Sequence, residues 1–174
     1  MNNRTKYAIF WLVVITLIIT VINLQLNRPS QEDTIIPPPA ILTIGGKEQI
    51  SGIGTYCWNE AFFRYACADY SGIPTPEEPL NASRQVAAHL SLPIKTPPQQ
   101  LGLQVIRVTE SDSLELRSEG QLVWQPGVGK ELTLPLESEQ DVNLALEPGL
   151  YVIRVLPAWK EEGNVSYGFL VKVE

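Results

Sequence analysis

Few side chains in this sequence could do chemistry, and the two cysteines are the first to consider. Cys57 and Cys67 lie ten positions apart, and His89 is the single histidine. A zinc site needs about four ligands, so these three residues predict no metal site. The spacing also excludes a CxxC redox pair. We predict a structural disulfide, with two buried, reduced thiols as the alternative.

Catalytic signatures are absent from the sequence. It contains no G-x-S-x-G motif, no P-loop and no H-E-x-x-H motif, and its carboxylates are scattered. His89 belongs to an alternating stretch, on the polar face that also carries Gln85 and Ser91, so we expect it to face solvent and not to act as a base. We therefore predict that the protein is not an enzyme and needs no cofactor.

The stretch GTYCWNEAFFRYACADY, residues 54–70, contains both cysteines and many aromatic side chains. If the cysteines face each other on two strands, the turn falls near Phe62. One interpretation buries the tyrosines and Trp58 in the core and lets Phe62 and Phe63 cover an open end of the fold. The other makes an exposed tip that binds a partner, because exposed apolar patches mark interaction sites. The candidate binding surface comprises Tyr56, Trp58, Phe62, Phe63 and Tyr65.

The elements that must position these residues are short strands. From Ile41 onwards, apolar runs recur at intervals of about 8–12 residues, with turn residues between them and loops too short for crossover helices. Residues 85–92 alternate apolar with polar, which favours a strand over a competing helix at 82–90. Gly45 and Gly46 predict a hairpin turn. The sequence thus predicts an all-β fold, an antiparallel β-sandwich.

Tyr151 makes the sandwich prediction more specific. The sequence LEPGLYVIRV places Pro148 and Gly149 before Tyr151 at the start of a strand. In Greek-key sandwiches a tyrosine at this point donates its hydroxyl to the upstream backbone. We therefore expect an immunoglobulin-like sandwich at residues 41–174, with Tyr151 bonded back to the preceding segment.

The N-terminal segment predicts a membrane anchor. Residues 7–26 carry no charge, and a helix of about 20 residues spans a hydrocarbon core of about 30 Å. The run is longer than the apolar region of a signal peptide and no A-x-A-like site follows it, so we predict an uncleaved signal anchor. Arg4 and Lys6 precede it, which keeps residues 1–6 in the cytoplasm. The domain is then outside, where a disulfide persists.

A proline-rich segment separates the anchor from the domain. Residues 27–40 contain Pro29 and the run Pro37, Pro38 and Pro39, which favours extended polyproline II geometry. At about 3.1 Å per residue the segment would reach roughly 40 Å. We interpret it as a stalk, with a disordered linker as the alternative.

The motif G-T-Y-C-W followed by C-x-D, together with a late P-G-x-Y…W…S-Y-x-F-x-V ending, resembles a group of uncharacterised bacterial envelope proteins. Those proteins are anchored outside the membrane as lipoproteins or by an N-terminal helix. The resemblance covers the domain alone and departs from the group in lacking a lipobox cysteine. It implies an envelope location and a β-sandwich, and it brings no catalytic residues. The matching residues are Gly54, Thr55, Tyr56, Cys57, Trp58, Cys67, Asp69, Tyr151, Trp159, Tyr167 and Phe169.

The sequence predicts a non-enzymatic binding or sensing module held in the cell membrane by a single span, and the resemblance implies that it belongs to the bacterial cell envelope. Its expected partners are the membrane, through the N-terminal helix, and an envelope protein or a glycan. The net charge of −6 argues against nucleic acid. Two alternatives stay open. One is a small envelope hydrolase with its site in the loops at a sandwich end, and the other is a structural subunit held by strand addition at an edge.

Overall fold

The computed structural model describes residues 35–61, 64–109, 112–116, 121–125, 127 and 129–174, together with Thr16 and Thr20. The chain divides into two units, residues 1–34 and 35–174. In the first unit Thr16 and Thr20 are helical, and the Thr20 hydroxyl donates to the Thr16 carbonyl oxygen at 2.8 Å. No helix among the described residues is long and apolar enough to cross a membrane. Apart from the two threonines, the predicted anchor lies outside the described residues.

The second unit consists of β-strands, which confirms the all-β prediction. Strand β7 covers the stretch for which a helix was the competitor, and it buries every second side chain as the alternating pattern predicts. The strands are β1 Ile41–Ile44, β2 Lys47–Ile50, β3 Gly52–Ala61, β4 Arg64–Ala68, β5 Ile73–Pro76, β6 Leu80–Ala82, β7 Gln85–Ser91, β8 Gln100–Arg107, β9 Ser113–Leu116, β10 Gln121–Gln125, β11 Lys130–Thr133, β12 Glu139–Ala145, β13 Gly149–Trp159 and β14 Gly163–Val173.

These strands form three sheets. The outer sheet has the order β12-β7-β1-β2, the central sheet has the order β11-β8-β13-β14-β3-β4, and the small sheet has the order β5-β10-β9. Among the described strands every pair is antiparallel except β6, which runs parallel to β14 at the central sheet. The predicted antiparallel arrangement is therefore confirmed.

The central sheet buries side chains on both faces. One face packs against the outer sheet and forms the main core, which includes Leu42, Leu90, Ile153, Val155 and Phe169. On the other face lie the cross-strand neighbours Ile106, Val152 and Leu170, which pack against Ile73 and Trp124 of the small sheet. The small sheet thus adds a partial third layer to the sandwich that the sequence predicted.

The structure confirms two local predictions, the turn at Gly45 and Gly46 and the hydrogen bond of Tyr151. Gly45 and Gly46 form the turn between β1 and β2 with φ values of 57° and 78°, which glycine adopts without strain in a tight hairpin. The Tyr151 hydroxyl donates to the Glu147 carbonyl oxygen at 2.8 Å. This is the bond to the upstream backbone that a tyrosine corner requires.

Residues 35–40, here called the proline strap, belong to the domain. The compact unit begins at Ile35, earlier than the predicted boundary at Ile41. Tyr56 donates its hydroxyl to the Ile35 carbonyl oxygen at 2.9 Å, and Tyr167 donates to the Pro38 carbonyl oxygen at 2.7 Å. These bonds suit a proline-rich segment because proline offers a carbonyl acceptor but no N–H donor. The rest of the predicted stalk lies outside the described residues.

Candidate functional site

The disulfide between Cys57 and Cys67 confirms the sequence prediction. The two residues are direct partners in β3 and β4, with their Cα atoms 4.1 Å apart. Strand β4 is the last strand of the central sheet and pairs with β3 alone among the described strands. The disulfide therefore ties an edge strand covalently to the sheet.

The five aromatic residues of the candidate binding surface divide between core and solvent. Tyr56 and Trp58 are 5% and 4% exposed, because alternate positions of β3 face the main core. They are therefore not part of an exposed surface. Tyr65 is 64% exposed, so it does not fill the core as one interpretation expected. Phe62 and Phe63 lie outside the described residues.

A β-bulge lies in β3 next to the disulfide. The register with β14 shifts there, so that Gly54 and Thr55 lie opposite Ser166. The Thr55 hydroxyl donates to Asp69 Oδ1 at 2.9 Å and accepts a bond from the Tyr70 amide at 3.1 Å. The chain that leaves β4 is thereby fastened to β3, two residues beyond the disulfide.

The segment that Thr55 fastens forms one wall of an open cleft of about 580 Å³. The cleft lies on the face of the central sheet that the small sheet partly covers. Its apolar lining comes from two buried side chains, Ile73 and Ile106. The full lining consists of residues 70–73, then Gln104, Ile106 and Arg154 of the central sheet, and Gln125, Gly127, Gly129 and Glu131.

Arg154 is the one cation that lines this cleft among the described residues. It is half-buried, and its Nε donates to Ser166 Oγ at 2.7 Å. Burial lowers the pKa of its guanidinium group, and no carboxylate of the described residues forms an ion pair with it. The contacts with described residues use one of the five N–H donors of arginine, so within this part of the chain four donors have no protein acceptor.

The strand register places one carboxylate, Glu131, in the same cross-strand row as Arg154. Gln104 is the cross-strand partner of Arg154, and Glu131 is the partner of Gln104 on the next strand. Gln104 Nε2 donates to Glu131 Oε1 at 2.7 Å. Glu131 is thus hydrogen-bonded to the side-chain amide of Gln104. Among its described residues the cleft therefore contains one cation, Arg154, and one anion, Glu131, that do not pair with each other.

Sequence reasoning did not select Arg154, although a signal for it exists. It is a single charge within the apolar run LYVIRVL. Strands that are covered on both faces have nearly continuous apolar sequences. A charged residue inside such a run indicates a place where one face of the sheet is open, and β13 is open at Arg154.

His89 belongs to a polar cluster on the solvent face of the outer sheet, as the alternation predicts. Its Nδ1 lies 2.9 Å from Asp141 Oδ1 and its Nε2 lies 3.1 Å from Glu139 Oε2. These hydrogen bonds, first with Asp141 and then with Glu139, raise the pKa of the imidazole. Ser91 Oγ donates to Glu139 Oε1 at 2.7 Å. The cluster therefore lacks the serine–histidine hydrogen bond of an activated nucleophile.

No protein-family model matches this chain, and no curated protein was found to be similar to it. In the part of the chain that the structure describes, no group of three or more His, Cys, Asp and Glu residues is arranged to hold a metal ion. The cleft, and the disulfide-braced edge beside it, are therefore the features from which a function can be inferred.

Proposed function

We propose that this protein is a membrane-anchored, extracytoplasmic binding module of the bacterial cell envelope that acts without catalysis. A signal anchor at residues 7–26 holds it in the cell membrane by a single span, and residues 1–6 lie in the cytoplasm. The positive charges before the anchor support this orientation. The Cys57–Cys67 disulfide supports it independently, because such bonds persist in oxidising compartments.

The cleft beside Arg154 is the observation that carries the binding role. Its volume of about 580 Å³ falls within the range of about 300–1,000 Å³ that is usual for small-ligand sites. Its lining combines two isoleucines with five polar or charged side chains, so it is more polar than most small-ligand sites. The disulfide and the Thr55–Asp69 bond brace one wall, and a preformed wall reduces the entropy lost on binding.

The domain that carries the cleft is an immunoglobulin-like sandwich in this proposal. The Tyr151–Glu147 bond supports the assignment, because it spans four residues back to the loop before the strand. Trp58 and Trp159 add a buried aromatic pair near the turn between β13 and β14, with ring centroids 5.8 Å apart and planes at 89°. Edge-to-face packing of this kind stabilises a sandwich core.

A second candidate function is attachment to a larger envelope complex by strand addition at β4. One observation favours it. Strand β4 has one partner among the described strands, and Tyr65 on it is exposed. Unpaired strand edges accept strands from other chains. The cleft remains the stronger candidate, because β4 offers only the five residues Arg64–Ala68 for pairing.

Protease protection and thiol labelling of the full-length chain test the proposed location. Protease added to spheroplasts should digest residues 35–174 and leave an N-terminal tag intact. Cys57 and Cys67 should resist a membrane-impermeant thiol reagent until a reductant is added. A protected domain, or two thiols that stay unlabelled after the reductant is added, would contradict the extracytoplasmic location.

Site-specific crosslinking in intact cells tests the binding role. A photoreactive amino acid at Gln125, which is exposed at the cleft, should give a discrete adduct that mass spectrometry identifies. The matched control is Asn143, which is exposed on the outer sheet away from the cleft lining, and it should give none. Identical adducts at both positions would show that the cleft is not the binding site. An adduct at Tyr65 alone would favour strand addition.

A further inference from the structure

We propose that the cleft binds a small organic monocarboxylate through Arg154, an inference that rests on the proposed binding role and names its ligand class. The ligand carboxylate pairs with the guanidinium group. Its apolar body contacts Ile73 and Ile106, the buried side chains of the cleft lining. Three observations carry this assignment: the orientation of the arginine, the position of Glu131 and the character of the lining.

The contact with Ser166 prepares Arg154 for a carboxylate. Ser166 occupies the Nε donor at 2.7 Å and so restrains the plane of the guanidinium group. The two Nη groups remain, and together they offer the parallel pair of N–H donors that binds a carboxylate bidentately. A half-buried cation with no described carboxylate partner gains most from an anion that enters the cleft, because charge pairs strengthen as water leaves.

Glu131 limits how much negative charge the ligand can carry. The row Glu131–Gln104–Arg154 crosses three neighbouring strands, and strands lie about 4.8 Å apart. The backbone of Glu131 is therefore about 10 Å from that of Arg154. A polyphosphate would meet one cation and one anion at this distance, so its charge would be poorly compensated. A single carboxylate is compensated, and a ligand hydroxyl or ammonium group can donate to Glu131.

The lining explains why the ligand needs an organic body. Ile73 and Ile106 are 5% and 4% exposed and belong to the core between the central and small sheets. An inorganic anion would contact Arg154 but has no apolar atoms to pack against these two side chains. A ligand with an apolar body adds dispersion contacts with their edges to the ion pair, and such contacts sum over many atom pairs. The site therefore favours an organic carboxylate over free phosphate.

NMR of the full-length chain in lipid nanodiscs tests the inference with benzoate, its neutral analogue benzamide, and inorganic phosphate as probes. The Nε–Hε signal of Arg154 should shift saturably with benzoate. Benzamide and phosphate should each bind at least tenfold more weakly. R154Q should lose benzoate binding, and R154K should weaken it at least tenfold because lysine lacks the bidentate fork. R84Q, at an exposed arginine outside the cleft lining, should leave it unchanged.

The outcomes separate the ligand class from the binding role. If benzamide binds as tightly as benzoate and R154Q keeps that affinity, the carboxylate assignment is wrong while the cleft is still a binding site. If phosphate binds more tightly than benzoate, the assignment to an organic carboxylate is wrong. If no probe shifts any signal from the cleft, both the assignment and the binding role fail. If R154Q does not fold, the R154K comparison decides the role of the fork.

Discussion

Gly52 and Gly168 are cross-strand partners in β3 and β14, and the carbonyl group of Pro74 lies directly over the pair. A Cβ atom at either glycine would overlap the Pro74 carbonyl oxygen. The backbone of the small sheet can therefore approach the central sheet closely, which brings Ile73 into contact with the cluster that contains Ile106, Val152 and Leu170. Gly168→Ala should lower the free energy of unfolding by about 1–3 kcal/mol, the usual range for overpacking, in chemical denaturation.

Gly102→Ala is the matched control for this prediction. Gly102 also lies in a strand, but a Cβ atom there would meet only Leu156 Cβ at 3.8 Å, an ordinary contact. Its substitution should change the free energy of unfolding by less than about 0.5 kcal/mol. Equal losses at Gly102 and Gly168 would show that the contact with Pro74 is not the cause.

Removal of the disulfide should destabilise the edge of the central sheet. The bond closes a short loop, and the chain-entropy model gives such a bond about 3 kcal/mol. The double variant C57S/C67S should lose an amount of this order in denaturation. Amide hydrogen exchange should also speed up in residues 64–68, next to the disulfide, more than in β8. Uniform acceleration across the domain would contradict a local brace.

Tyr167 should make the domain sensitive to alkaline pH. Its hydroxyl is bonded to Pro38, and burial raises the pKa of its phenol above the ordinary value of 10.0. The unfolded state ionises first, so stability is complete below pH 10 and is lost as the pH rises beyond it. The slope contributed by this group is at most about 1.4 kcal/mol per pH unit.

Tyr167→Phe separates this ionisation from general alkaline unfolding. The variant should be less stable at neutral pH, by about 1 kcal/mol for the lost hydrogen bond, but its stability should fall less steeply above pH 10. Tyr65→Phe, at an exposed tyrosine, should leave the slope unchanged. Parallel pH profiles for Tyr167→Phe and the native chain would exclude Tyr167 as the source.

His89 should titrate above its ordinary value of 6.5, because Asp141 and Glu139 stabilise its protonated form. Its contribution to stability is present below pH 6.5 and is lost as the pH rises through the higher folded pKa. His89, Glu139 and Asp141 are all exposed, so their ion pairs should contribute less than about 1 kcal/mol to the free energy of unfolding. An NMR titration should show the pKa of His89 fall in Asp141→Asn and stay constant in Glu174→Gln. A constant pKa in both variants would contradict the Asp141 contact.

Sequence reasoning succeeded where a feature depends on neighbours in the chain. The Gly45-Gly46 turn, the alternation of β7 and the Tyr151 bond to Glu147 each involve residues at most a few positions apart. The disulfide was also predictable, because two cysteines allow one pairing. The fold class followed from the recurrence of short apolar runs with turn residues between them, which is a local pattern as well.

The small sheet and the cleft depend on contacts between distant parts of the chain, which no local pattern reports. Strand β5 has the sequence IPTP, and its two prolines favour a loop. It pairs as an edge strand with β10, about fifty residues later. Arg154 can be recognised as a cleft residue only once the fold brings residues 70–73 and Glu131 to the same face of the sheet. Trp58 was predicted as part of a surface because the sequence does not show that it packs against Trp159, about a hundred residues later.

The proline strap determines where mechanical tension would enter the domain. A pull on Ile35 from its N-terminal side would first load the bond from Tyr56, whose neighbour Cys57 is cross-linked to the next strand. The Tyr167 bond to Pro38 is the next point of attachment along the chain. Under load the strap should therefore detach stepwise, before the central sheet shears. In an anchored protein, this detachment would lengthen the tether by residues 35–40 before the load reaches β1.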